Sequence, residues 1–306
     1  MDRPEDERGD AVGPMLDDEA RALVARLRAS GSVFAEEEYA ALRAHAEAAA
    51  DGDEDAAADR LEGFVDRREH GERIEHIVEH ARFAELRIHV DFGVFVPRAR
   101  TVLLASIAAE RLREVRDARG EGGRRPRLLD FGCGAGPIAA LATHRVPGIE
   151  VVAVDNDRYA LASAARNLPQ ARLVLADSIP ALVDADARRA DGGAPADPTG
   201  ISASAPFDVV AANLPYVPTS QLPLLPHGTL ESEPRAALDG GRDGLDPLGE
   251  HALPLAAILA DDGILVTELA PHQVDGAIEI LEGAGLARVE VHRDDELGAT
   301  VLVAAR

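Results

Sequence analysis

Four consecutive residues, Asn213-Leu214-Pro215-Tyr216, have the types and order needed to hold a flat nitrogen group. An Asn side chain offers one acceptor oxygen and one NH2 group. Pro215 stiffens the backbone beyond it, and Tyr216 supplies a planar ring. The preceding run, Phe207-Asp208-Val209-Val210-Ala211-Ala212, reads as a buried strand of a parallel sheet. Such strands deliver their C-terminal residues into the ligand crevice of open α/β folds. The chemistry indicated is on an amide or amino nitrogen, provided that a cofactor site lies upstream. An isolated Asn at a strand end would be a turn residue instead, so the upstream chain decides.

That upstream feature is Asp130-Phe131-Gly132-Cys133-Gly134-Ala135-Gly136, at the first strand-to-helix turn. Its glycines let the backbone turn sharply and come close to a ligand. A nicotinamide fingerprint needs G-x-G-x-x-G, and counting from Gly132 its last position falls on Pro137. The G-x-G-x-G spacing with an acid two residues before it resembles the S-adenosylmethionine (AdoMet) loop of class I methyltransferases. Under that resemblance Asp130, Gly132, Cys133, Gly134, Ala135 and Gly136 line the cofactor, together with Asn213. Asp155 ends the second strand, where a carboxylate can accept both ribose hydroxyls. Asp177 and Ser178 end the third, where the adenine edge would lie. Cys133 has no His partner nearby and reads as a small residue of the loop rather than a nucleophile.

The elements that must position these residues follow from hydrophobic periodicity. Residues 1–16 are charged and read as a frayed tail. Residues 17–80 form a helical bundle, with apolar stripes at Leu23, Val24 and Leu27, at Tyr39 and Leu42, at Leu61, Phe64 and Val65, and at Ile74, Ile77 and Val78. Residues 81–126 are a hairpin, with arms 87–90 and 94–96 around Asp91-Phe92-Gly93, followed by a helix over 101–116 and a linker. From 127 to 306 strands and helices alternate, with strands at 127–131, 150–154, 172–176, 207–212, 263–268, 286–292 and 299–305. This predicts a mostly parallel sheet covered by helices on both faces and ending in an antiparallel hairpin. Residues 184–206, rich in Ala, Asp, Gly, Pro and Ser, are expected to be a surface loop.

Composition narrows the partners. The formal net charge is −23, from 32 basic and 55 acidic residues, and every basic side chain is Arg. Long-range attraction to a phosphate backbone would be weak or repulsive, so direct nucleic-acid binding is not expected. A single Cys excludes an intramolecular disulfide framework and fits a reducing compartment. There is no positively charged, then apolar, N-terminal pattern and no apolar run near ~20 residues. The expectation is a cytoplasmic protein without membrane contact, and a monomer by default.

Further stretches resemble the HemK/PrmC family of protein-(glutamine-N5) methyltransferases. Phe92-Gly93-Val94-Phe95-Val96-Pro97-Arg98 is similar to the family segment ending Ile-Pro-Arg. Asn213-Leu214-Pro215-Tyr216 is similar to its Asn-Pro-Pro-Tyr. Glu233-Pro234-Arg235-Ala236-Ala237-Leu238-Asp239-Gly240-Gly241-Arg242-Asp243-Gly244-Leu245 is similar to its acidic, Gly-rich signature. The resemblance covers residues 70–306. It implies a Rossmann-like class I fold with a seven-stranded sheet and a small N-terminal helical bundle for substrate recognition. It also implies AdoMet as cofactor, no metal, and the Gly-Gly-Gln tip of a peptide-chain release factor as substrate. Asn213, Pro215 and Tyr216 would be catalytic; Asn213, Leu214, Pro215, Tyr216 and Arg98 would contact substrate. For Arg98 a surface salt bridge is the competing reading. The chain departs from the family at Leu214. It also departs at Ala99 and Val102, where the Pro-Arg-Pro-x-Thr-Glu pattern loses its second Pro and its Glu, and near Glu296-Leu297-Gly298-Ala299-Thr300-Val301, which lacks the family's Arg. The Asn-x-Pro-Tyr element is shared with DNA and RNA amino-methyltransferases, which makes a nucleic-acid methyltransferase the alternative. A non-catalytic binding module is a third.

Three other patterns read as structural. His76-Ile77-Val78-Glu79-His80 matches H-x-x-E-H, yet it lies in a charged helix before the catalytic domain and is expected on a solvated face. Asp51, Asp53, Asp55 and Glu62 have calcium-loop spacing, but Ala56 stands where the turn requires Gly, so an acidic helix start is expected. Glu268, closing the run Ile264-Leu265-Val266-Thr267, is expected to be a buried structural acid at a strand end.

Overall fold

The computed structural model describes residues 17–182, 206–226 and 228–306. The expected tail over 1–16, and nearly all of the loop expected over 184–206, fall outside these residues. The chain divides into two compact units, Met1–Val78 and Glu79–Arg306.

The first unit contains α1 (Asp18–Ala29), α2 (Ala35–Ala49), α3 (Glu54–Glu69) and the single turn α4 (Ile74–Ile77). The apolar stripes form its core, with Leu23, Val24, Leu27, Tyr39, Leu42, Leu61, Val65 and Ile77 all buried. Asp53 starts α3 by accepting the Ala56 N–H at 3.0 Å, the acidic helix start expected there. His76 differs from expectation. It is 2% exposed, because α4 is one turn long and has no separate polar face: His76 and Ile77 are both buried.

The second unit opens with a hairpin whose register differs from the expected one. Its arms are β1 (His80–Phe83) and β2 (Leu86–His89), paired antiparallel around Ala84 and Glu85. Residues 94–96 are not its second arm. They run on outside any strand, with Val94 and Val96 buried in the core beside Phe83 and Ile88. The signal that misled is the second apolar triplet, which is buried by packing rather than by pairing. Helix α5 (Thr101–Arg119) follows and extends three residues past the expected end.

The main sheet has the order β5-β4-β3-β6-β7-β9-β8. The strands are β3 (Arg127–Phe131), β4 (Glu150–Asp155), β5 (Arg172–Leu175), β6 (Phe207–Ala212), β7 (Leu259–Glu268), β8 (Arg288–Asp294) and β9 (Ala299–Ala305). The first five are parallel, and β9 runs antiparallel to both β7 and β8. Alternation of side chains divides the core in two. Leu128, Val209 and Ala211 face a layer containing α5, α6 (Pro137–Arg145) and α7 (Arg158–Asn167). Leu129, Val210 and Ala212 face α8 (Asp246–Ala257) and α9 (Val274–Gly283). The chain leaves β3 toward β4 on one side and returns to β6 on the other. This makes the ends of β3, β4 and β6 a topological switch point, where open α/β sheets bind ligands.

Candidate active site

Register brings the motifs together. Phe131 pairs with Val154 on one side and with Ala212 on the other, so the Gly loop after β3 lies between Asp155 and Asn213. Gly132, Gly134 and Gly136 have φ of 72, 55 and 78°, conformations that favour glycine. Space decides their separate roles. A Cβ on Gly136 would meet Leu168 Cδ1 at 2.6 Å, so this glycine lets α6 pack closely. A Cβ on Gly134 would meet nothing within 4 Å, leaving bare backbone at the crest of the loop.

Two acids hold this loop, Asp130 fully buried and Asp155 half-buried. Asp155 accepts the Gly134 N–H at 2.8 Å with one oxygen and the Asp157 N–H at 2.9 Å with the other. Burial raises its pKa, while those two N–H bonds pull the other way. Asp130 is 0% exposed and accepts the Ala139 N–H of α6 at 3.1 Å. Its Oδ1 has no hydrogen-bond partner among the described residues. Burial pushes its pKa up to about 7, against the Ala139 bond and with help from the Asp155 charge. Asp130 therefore fixes the start of α6 from behind the loop. Burial also drives the Cys133 thiol pKa well up, which fits a packed loop residue and not a nucleophile.

Asn213 follows β6. Its Nδ2 donates to Thr101 Oγ1 at 3.2 Å, at the start of α5, which leaves Oδ1 as the free acceptor end of the amide. Leu214 is buried, and its Cδ2 lies 3.8 Å from where a Gly132 Cβ would stand, so the tetrad packs directly on the Gly loop. The Tyr216 hydroxyl donates to Glu268 Oε1 at 2.7 Å and accepts from Arg100 Nε at 2.7 Å. Burial and the Glu268 charge push the phenol pKa far up, so it stays protonated.

The Gly-rich signature encloses this tyrosine. Val217 N–H donates to the Leu238 carbonyl at 3.0 Å, and Gly240 N–H to the Val217 carbonyl at 2.8 Å. Gln273 Nε2 donates to the carbonyls of Tyr216 and Asp243, both at 2.9 Å. Gly244 lies so close that a Cβ there would stand 2.2 Å from the Tyr216 carbonyl oxygen. Glu233, at the head of the signature, is buried. It accepts the Val96 N–H at 2.8 Å and an Arg98 hydrogen bond.

Arg98 is thus not a surface ion pair but is paired with an enclosed carboxylate. Its side chain is 17% exposed and its partner 0%. Asp177 is exposed, and the Ser178 hydroxyl accepts the Ala181 N–H at 3.4 Å. The third strand end nevertheless adjoins Asp155, whose carbonyl accepts the Ala176 N–H at 3.0 Å. Sequence reasoning missed Thr101, Arg100 and Gln273 as parts of the site, and treated Glu268 as structural only. One signal for Arg100 was available: it is a cation at the N-cap of α5, where a helix dipole favours an anion.

The methyltransferase small domain profile matches residues 107–189, which span the Gly loop and Asp155. The release factor glutamine methyltransferase of Moorella thermoacetica is 32% identical over 244 residues, 79% of this chain and 78% of its own. That of Bradyrhizobium diazoefficiens is 30% identical over 252 residues, 82% and 78% respectively. Among solved structures, the T. thermophilus 16S rRNA N2 G1207 methyltransferase in complex with AdoMet and guanosine superposes with a TM-score of 0.48. It shares 21% identity over 74% of this chain and 49% of that one. The chain belongs to the release factor glutamine methyltransferase family.

The residues present fit AdoMet as cofactor. The loop crest at Gly134 is open backbone, and Asp155 keeps lone pairs for a diol.

Proposed function

We propose that this protein methylates the side-chain amide nitrogen of a glutamine in a protein, with the Gly-Gly-Gln tip of a peptide-chain release factor as its substrate. The observation that carries this reading is the Asn213 amide, held at Nδ2 by Thr101 and open at Oδ1, beside the Gly loop. When bound, AdoMet supplies an electrophilic methyl group on a sulfonium.

An amide nitrogen is a poor nucleophile because its lone pair is delocalised into the carbonyl. Asn213 Oδ1 and the Leu214 carbonyl each accept one N–H of the target in this reading. They orient the nitrogen and favour lone-pair density on it as its protons become acidic. The Leu214 contact is made by backbone, so leucine keeps what a proline would supply. Tyr216 covers the flat face, and its hydroxyl is committed to Glu268 and Arg100. Alignment of this kind can supply several kcal/mol, with ~7–11 as the ideal intramolecular range. The helical unit engages the protein substrate, and such a partner places the enzyme in the cytoplasm. Among the described residues no helix is long and apolar enough to cross a membrane.

The test is to incubate the protein with AdoMet and a release factor and to weigh the Gly-Gly-Gln peptide. A gain of one methylene on glutamine is the expected result. Its absence while AdoMet binds would sink the release-factor assignment, and methyl transfer to RNA or DNA instead would replace it.

A further inference from the structure

Arg100 stands against the local rule. It is a cation at the N-cap of α5, with no acid in the first turn to offset it. A residue that breaks a local preference is kept for something that it touches. Its Nε bonds Tyr216 Oη at 2.7 Å and Glu268 Oε1 at 3.1 Å. The Tyr216 hydroxyl closes the triangle on the same Glu268 oxygen at 2.7 Å. Glu268 is almost completely enclosed, 1% exposed, whereas Arg100 remains 40% exposed. All the hydrogen bonds of Arg100 to the described residues are made through Nε. Nη1 and Nη2 make none. The guanidinium is therefore fixed at its inner nitrogen and presents its outer fork. Thr101, the next residue, is the one that holds the acceptor amide of Asn213.

We propose that Arg100 is a specificity-determining residue whose outer fork receives a carboxylate of the substrate that flanks the Gly-Gly-Gln being methylated. A planar, pre-oriented guanidinium is matched to a carboxylate in a way that a lysine is not. The anchoring by Tyr216 and Glu268 removes most of the rotamer freedom that such a contact would otherwise cost. The proposal rests on the glutamine reading above and sharpens it, since it says which glutamines this chain prefers.

The test uses the full chain with matched peptides that carry Asp or the isosteric Asn at each of the two positions on either side of an intact Gly-Gly-Gln. Methyl transfer is followed by mass. For at least one position the wild type is expected to favour the Asp peptide about tenfold in kcat/KM, chiefly through KM. In Arg100→Gln that preference is expected to shrink to within about twofold, and Arg100→Lys to restore only part of it. A merely structural role for Arg100 would slow both peptides of a pair equally and leave their ratio unchanged, which would overturn the proposal. Equal use of Asp and Asn peptides by the wild type would overturn it too. Those results leave glutamine methylation standing. Absence of transfer to every peptide and to intact release factor, with AdoMet bound, would instead remove the glutamine reading and this preference with it.

Discussion

Thr101 and Asn213, 112 residues apart in sequence, meet through one hydrogen bond of 3.2 Å from Asn213 Nδ2 to Thr101 Oγ1. This bond sets which end of the amide faces outward. In Thr101→Val the shape is kept and the acceptor is lost, so the Asn213 amide can rotate. Turnover on a glutamine substrate is expected to fall about tenfold, with AdoMet affinity within about twofold of wild type. Single-turnover kinetics and calorimetric titration of AdoMet read the two quantities separately. Equal losses in both would contradict the orienting role.

The triangle of Arg100, Tyr216 and Glu268 separates ring from hydroxyl. Tyr216→Phe keeps the ring and should retain turnover within about fivefold, while costing about 1–3 kcal/mol of stability through the lost hydroxyl bonds. Arg100→Leu leaves the enclosed Glu268 carboxylate without its cation and should cost roughly 3 kcal/mol. Urea denaturation of both variants checks the order. A Phe variant less stable than the Leu variant would mean that the hydroxyl, and not the ion pair, anchors this corner.

Glycines make a sharper contrast. At Gly244, φ is +84° and an added Cβ would stand 2.1 Å from Gln273 Nε2 and 2.2 Å from the Tyr216 carbonyl oxygen. Gly244→Ala is expected to destabilise by at least ~2 kcal/mol and to displace the Tyr216 backbone. At Gly249 in α8 a Cβ meets nothing within 4 Å, so Gly249→Ala should stabilise by about 0.5–1 kcal/mol. Thermal midpoints moving in opposite directions are the expected readout.

Much of the molecule was legible in its sequence, for identifiable reasons. Strands β3, β4 and β6 announce themselves because parallel strands buried on both faces read as unbroken apolar runs. The Gly loop and Asp155 were legible because their spacing is local, and register then brought them together. The hairpin was misplaced because Val94 and Val96 have the pattern of a strand but are buried against helices and β2. His76 was misjudged because the helix around it is too short to have two faces. Arg100, Thr101 and Gln273 escaped notice because each acts on a residue more than fifty positions away, a relation that no window of sequence displays. Glu268 was seen at its strand end, but its partner was not.

Asp130 gives the unliganded protein a pH dependence with a definite sign. Its pKa is raised from 3.8 to about 7 by burial, so the folded state holds a proton that the unfolded state has released between those values. The contribution of Asp130 to stability then falls as pH rises from about 4 to about 7. The raised Asp155 pKa acts in the same direction. Asp130→Asn should flatten this slope, as read from denaturant midpoints across that range without AdoMet. An Asp130→Asn protein with the same slope as the wild type would refute the assignment.

The enclosing of Tyr216 also has a consequence for how the protein is born. Asn213 and the Gly loop come from the middle of the chain, but their supports are Glu268 at the end of β7 and Gln273 just after it. The strand β7 is itself flanked by β9, which ends at Ala305. A nascent chain therefore exposes the Gly loop long before it can hold an acceptor amide. Methyl transfer therefore depends on a chain folded through β7 and the turn after it, and not on the Gly loop alone.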